Sequence, residues 1–203
     1  MPSTASAAAR PRPEAGPSAC HDGAMSTVFT KIIEGRIPGR FAWADETCVV
    51  FASINPITDG HMLVVPRQEV AKFTSADDAL LARLMSVAKI IGQAVERAFD
   101  SPRAALLVAG FEIPHLHLHV LPAWGEAELS FTNARAEVPG AELDAATERV
   151  RAALHELGHG AAVPVAPAPV ASPALAPAEA CRAVAFCAPF LEAFAGELRV
   201  ETR

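Results

Sequence analysis

Cysteine is scarce. The 203 residues hold four, Cys20, Cys48, Cys181 and Cys187, and no two of them make a Cys-x-x-Cys pair. That excludes a disulfide-dense scaffold and fits a reducing compartment. Basic runs are also lacking, and the formal net charge is −6. A protein that lives on a nucleic-acid polymer through phosphate contacts carries the opposite balance, whereas a single nucleotide needs only a few donors. The first twenty-odd residues have no apolar h-region of the kind that drives secretion. No run is long and apolar enough to span a bilayer. The expectation is a soluble, cytoplasmic protein with neither a membrane nor a nucleic-acid polymer as partner.

The periodic part of the chain is bounded by two biased stretches. Residues 1–25 are rich in Ala, Pro, Ser and Gly. Such a segment buries too little apolar surface to offset its ordering entropy, so a disordered leader is expected, with Met25 a candidate natural start. Residues 161–180 are almost entirely Ala, Pro and Val, the composition of a semi-extended linker. Residues 181–203 turn apolar again, with Phe186, Phe190, Leu191, Phe194 and Leu198 interrupted by Pro189. They read as an amphipathic segment that docks or stays loose, and no role follows from them. The folded unit is therefore expected over 26–160.

Within that unit, Ser26 to Gly35 reads as a short capped helix with Phe29, Ile32 and Ile33 inward. Phe41–Ala44, Thr47–Ile54 and His61–Pro66 read as strands, the last two forming an antiparallel pair across the breaks at Asn55-Pro56 and Asp59-Gly60. Ser75-Ala76-Asp77-Asp78 resembles a capping box that opens a long helix to about Phe99, with Leu80, Leu84, Val87, Ile91 and Val95 on one stripe. Arg103–Ala109 is an apolar strand, broken by Gly110. Residues 126–139 show no period and read as a loop. Ala141–Leu157 reads as a last helix burying Leu143, Val150, Leu154 and Leu157. The class is α+β: a mostly antiparallel sheet with a long central helix, a C-terminal helix and disordered tails.

Between the apolar strand and the loop lies Pro114-His115-Leu116-His117-Leu118-His119-Val120-Leu121-Pro122. On a strand, alternate residues share a face, so three imidazoles line one side and Leu116, Leu118 and Val120 the other. The apolar face suits a core. A fold has no need of a repeated imidazole face. Three chemistries are open to it: metal ligation, since imidazole is a common zinc ligand; nucleophilic attack on phosphorus, helped by its neighbours; or passive anion binding. His21, His155, His159 and Cys48 carry no such pattern, and Cys48 reads as a buried small hydrophobe.

His115-Leu116-His117-Leu118-His119-Val120-Leu121 resembles the His-φ-His-φ-His-φ-φ motif (φ apolar) of the histidine-triad (HIT) family of nucleotide hydrolases and transferases. Upstream, Gly60-His61-Met62-Leu63-Val64-Val65-Pro66-Arg67 resembles the family's Gly-His-x-Leu-Val-φ-Pro-Lys/Arg segment. The resemblance covers about 26–160 and implies a HIT-like fold. It also implies a mechanism. His117 would attack the α-phosphorus of a purine nucleotide or nucleotide conjugate, giving a covalent nucleotidyl-histidine that water hydrolyses. His119 would help protonate the leaving group, and His61 and His115 would complete the electrostatic setting. With unperturbed pKa values of about 6.5, nucleophile and acid forms would coexist near neutral pH. The product would be a nucleoside monophosphate, AMP in the first instance, and the leaving group an amine, a phosphate chain or a nucleotide. Phosphate in place of water as the acceptor would make the enzyme a transferase. No cofactor and no metal would be needed, and a homodimer is implied.

The chain also departs from the family pattern. Ser53 stands where many members bind the ribose through Asp or Asn. With Ile54, a weak base-contact candidate, Asn55 and Gly110, it makes up the expected nucleotide-binding set. Gly110-Phe111 stands where many members have Gly-Gln. Some members hold a structural zinc at four positions, of which three are here Thr27, Thr30 and Glu69; the fourth is His115. No structural zinc is expected. Two other classes compete with the enzyme: a metal hydrolase ligated by His115, His117 and His119, and a nucleotide-binding or signalling module with little turnover. Three same-face histidines spread over about 13 Å on a strand, which weakens the metal reading. Ser53 and Phe111 keep the module reading open.

Overall fold

The computed structural model describes residues 26–165. The readings of 1–25, of most of the linker and of 181–203 lie outside that range. The order of elements is α1 (Val28–Ile33), β1 (Phe41–Ala44), β2 (Cys48–Ala52), β3 (Met62–Pro66), α2 (Asp78–Phe99), β4 (Arg103–Val108), β5 (Leu118–Ala123) and α3 (Gly140–Glu156). The strands form one sheet in the order β1-β2-β3-β5-β4, and each neighbouring pair is antiparallel.

Alternation along the strands divides the interior in two. On one face Cys48, Val50, Ala52, Met62, Val64, Leu118 and Val120 meet the α2 stripe of Leu80, Leu84, Val87, Ile91 and Val95, together with Val150 and Leu154 of α3. Each fully buried side chain of this size contributes about 1.5–3 kcal/mol. The α2 stripe is thus the largest single hold on the sheet. On the other face Val49, Phe51, Leu63 and Val65 pack beneath Phe29 of α1. His119 pairs across the sheet with Leu63, so the histidines belong to this second face.

The long helix is capped by Asp77, whose carboxylate accepts from the Leu80 N–H at 2.8 Å; Ser75 lies upstream in a single 3-10 turn. The expected capping stretch is right, and its capping residue shifts by two. The β2 strand stops at Ala52 and does not reach Ile54, because the chain must turn toward Pro56. The histidine strand is also shorter than expected. Ladder pairing starts at Leu118, while His115 to His117 form a lead-in outside the ladder, held by Leu116 N–H on the Val70 carbonyl at 2.6 Å. The face alternation survives the loss of ladder bonds, since Leu116 remains in the core and His115 and His117 stay on the opposite side. Val163 falls in the stretch read as linker, yet it is buried in the main core, and Arg151 donates to the neighbouring Pro164 carbonyl. Among the described residues no helix is long and apolar enough to cross a membrane.

Candidate active site

Four imidazoles, His61, His115, His117 and His119, are buried together. Backbone groups fix which nitrogen carries the proton in His115, His117 and His61, and His61 then fixes it in His119. A carbonyl can only accept and an amide N–H can only donate, and this settles each ring in turn.

His115 is fully buried, with Nε2 2.9 Å from the Pro66 carbonyl oxygen. That nitrogen must donate, so Nδ1 holds the lone pair and accepts from the Thr27 hydroxyl at 2.8 Å. His117 Nδ1 lies 2.8 Å from the carbonyl of residue 115 and must donate to it. Its Nε2 is therefore the bare nitrogen, the one available as a nucleophile. His61 Nδ1 accepts from the Ile57 N–H at 3.1 Å. Its proton sits on Nε2, which donates to His119 Nδ1 at 3.0 Å. In neutral His119 the remaining N–H is on Nε2. A bare imidazole nitrogen and an imidazole N–H thus stand on adjacent rings, His117 and His119, whose centroids are 4.7 Å apart.

Burial pushes all four rings toward the neutral form. It lowers His61 to about 4, with His117 adding to the effect, and His119 to about 3, with His117 and His61 adding. His117 and His115 are also lowered, mainly by burial; the His115 carbonyl and Glu112 oppose this at His117, and the Pro66 carbonyl and Glu69 oppose it at His115. The expectation of coexisting neutral and charged rings near pH 7 therefore gives way to four neutral rings. The donor at His119 is a neutral N–H, and an incoming phosphate is the group that would favour its protonation.

Two aromatic neighbours had no place in the sequence reading of the site. Phe29 packs edge-on to His117 at 4.9 Å, and Phe131 edge-on to His119 at 5.0 Å. Phe29 was expected inward, but nothing in its spacing linked it to the triad. Phe131 sits in a 3-10 turn inside the stretch read as an aperiodic loop. That loop is anchored by the Arg135 N–H on the Pro56 carbonyl at 3.0 Å.

The expected nucleotide-binding residues divide. Ser53 lies beside His61, its N–H donating to the His61 carbonyl at 3.0 Å. Gly110 has φ +83°, a conformation that favours glycine, and a Cβ there would be in no more than ordinary contact, 4.0 Å, with His117 Cε1. Ile54 and Asn55 are exposed on the turn between β2 and His61, outside the buried cluster. Cys48 is on the opposite sheet face from the triad, and burial pushes its thiol up to about 12.

A small α+β domain with an antiparallel sheet and a buried cluster of four histidines defines a histidine-based site rather than a thiol or carboxylate one. The family model of the HIT domain matches residues 34–125. An uncharacterised HIT-like protein of Methanocaldococcus jannaschii is 35% identical over 107 residues, covering 50% of this chain and 83% of that one. An adenylylsulfatase of Arabidopsis thaliana is 31% identical over 100 residues, covering 47% of this chain and 51% of that one. A crystal structure of a zinc-bound histidine triad family protein from Mycobacterium smegmatis superposes with a TM-score of 0.58 at 27% identity, covering 67% of this chain and 98% of that one. The chain belongs to the histidine-triad family.

Proposed function

We propose that this protein is a nucleotidyl hydrolase of the histidine-triad type. Its substrate is a purine nucleotide conjugate, and its product is a nucleoside monophosphate, AMP in the first instance. The observation that carries the reading is the His117 Nδ1–H donated to the residue 115 carbonyl at 2.8 Å, which leaves Nε2 bare beside the N–H of His119. The His117 Nε2 lone pair attacks the α-phosphorus. A phosphorus–nitrogen bond forms, and the bond from phosphorus to the leaving atom breaks. The leaving group departs with that electron pair, its developing charge held by the His119 Nε2–H, and takes its proton from solvent. Water then attacks phosphorus, expels His117 as the bare imidazole, and gives up its proton to solvent. No metal or cofactor takes part. Ser53 and Asn55 are assigned to the ribose, Ile54 to the base and Gly110 to the phosphate path.

The same reading takes the protein as a cytoplasmic homodimer. Strand β4 is a sheet edge with Leu106 and Val108 exposed, and Met85 of α2 is exposed beside it. An uncovered apolar edge of this kind invites a second copy.

A catalytically weak binding module is the second reading. Phe111, standing where many members have a polar residue, is 97% exposed and supplies no polar contact. Metal-stripped protein incubated with an adenosine phosphoramidate and a diadenosine polyphosphate separates the two. AMP release that is lost in His117→Ala supports the enzyme. Tight AMP binding with no release from either compound supports the module. Activity that returns only on adding zinc would make the histidines metal ligands.

A further inference from the structure

Thr27, Thr30, Glu69 and His115 come from three distant parts of the chain and meet at one place. They correspond to the positions that hold a structural zinc in some family members. Two neutral hydroxyls, one carboxylate and one imidazole are a poor zinc set, which calls for thiolates and free imidazole nitrogens. Both nitrogens of His115 are already engaged, by Thr27 and by the Pro66 carbonyl. Among the described residues no group of three or more His, Cys, Asp or Glu is arranged to hold a metal ion.

The four residues bond one another instead. Glu69 accepts the Thr27 backbone N–H at 3.1 Å and the Thr30 hydroxyl at 3.1 Å. The Thr27 and Thr30 hydroxyls are 3.0 Å apart, and the Thr27 oxygen also caps α1 by accepting the Thr30 N–H at 3.2 Å. Because His115 Nε2 must donate to Pro66, the Thr27 hydroxyl proton goes to His115 Nδ1. The Thr30 proton is then the one that points to Glu69. The Thr27 hydroxyl proton thus has one direction, toward His115. Among the described residues no buried side-chain nitrogen or oxygen lacks a partner.

We propose that Thr27 and Glu69 are positioning residues: metal-free hydrogen bonds, from the Thr27 backbone N–H and the Thr30 hydroxyl to Glu69 and from the Thr27 hydroxyl to His115, orient the His115 ring and, through the carbonyl of residue 115, the His117 nucleophile. The proposal rests on the enzyme reading above for its effect on rate, but not for its effect on His115. These bonds tie α1 to the lead-in of β5, and α1 also delivers Phe29 onto His117. They do at neutral hydroxyls what a bound ion would do, without needing one.

The test compares Thr27→Val, Thr27→Ser and Glu69→Gln in the full chain. Valine matches threonine in shape and removes the hydroxyl, while serine restores it. Imidazole 15N spectra report the ring nitrogens of His115 and His117, and steady-state kinetics use an adenosine phosphoramidate. In the wild type and Thr27→Ser, His115 shows a hydrogen-bonded Nδ1 acceptor and an Nε2–H. In Thr27→Val that signature is lost, and kcat falls about tenfold with KM within about twofold, as expected when one orienting contact is removed. Glu69→Gln gives a smaller fall of the same kind. His115 nitrogens unchanged in Thr27→Val, with only a lower melting temperature, would reduce Thr27 to a helix cap and overturn the proposal. So would one tightly held zinc per chain. If the wild type shows no turnover at all, the enzyme reading fails, and the His115 spectra alone decide the positioning claim.

Discussion

His61 donates its Nε2–H to Nδ1 of His119 across 3.0 Å, and the direction of that bond is imposed from outside the pair by the Ile57 N–H on His61 Nδ1. In the proposed reaction the upstream histidine would therefore act through another ring. It keeps the proton of His119 on the outward nitrogen, where a leaving group would need it.

Replacing His61 with alanine frees His119 to place its proton on either nitrogen. The expected result is a fall in kcat of about 10–100-fold, as for a misdirected hydrogen-bond donor to developing charge, with KM little changed. Steady-state kinetics on an adenosine phosphoramidate check it. A change confined to KM would place His61 in substrate binding instead.

Four neutral buried imidazoles make stability depend on pH. Rings whose folded pKa values are depressed bind fewer protons than the unfolded chain once pH drops below about 6.5. Stability should therefore be full above pH 6.5 and decline toward the values of about 4 for His61 and about 3 for His119. Denaturant melts at pH 7, 6, 5 and 4 measure the decline, and a His61→Asn, His119→Asn double variant should flatten it. The acidic limb of kcat/KM should likewise lie below pH 6.5, since His117 is lowered too.

Gly60 immediately precedes His61 and has φ +87°, and a Cβ there would collide with the Phe99 ring at the end of α2. Gly60→Ala should cost about 2–4 kcal/mol, combining left-handed backbone strain with overpacking. Equilibrium unfolding reads the cost. A cost below about 0.5 kcal/mol would mean that the turn relaxes freely, as at an ordinary surface site.

The exposed β4 edge should be the contact between copies. Leu106→Lys puts a charge on that edge and should shift sedimentation from dimer to monomer while leaving the monomer folded. A wild type that sediments as a monomer would contradict the homodimer.

Much of this architecture was legible in the sequence because two periods are strong in it. The α2 stripe at helical spacing and the alternation through β2, β3 and the histidine segment assign the core residues directly. The site was legible for a different reason: His115, His117 and His119 share a face whether or not the ladder bonds form, so the early loss of pairing at His117 did no harm. Phe131 was not legible, because its place beside His119 depends on a loop fixed by long-range bonds such as Arg135 to Pro56, and such bonds leave no period. The depressed pKa values were hidden for a related reason. Burial of an imidazole is a property of the assembled site, and Phe29 and Phe131 supply part of it from distant positions. Thr27 departs from the zinc pattern in the sequence itself, but its bond to His115 appears only when α1 is folded over the sheet.

The central claim is that His117 forms the covalent bond to phosphorus. Rapid-quench mass spectrometry of the full chain mixed with an adenosine phosphoramidate tests it most directly. The predicted result is an added adenylyl group on the peptide containing His117, formed and lost at least as fast as AMP appears. AMP release with no adduct on His117, or an adduct on another histidine, would contradict it.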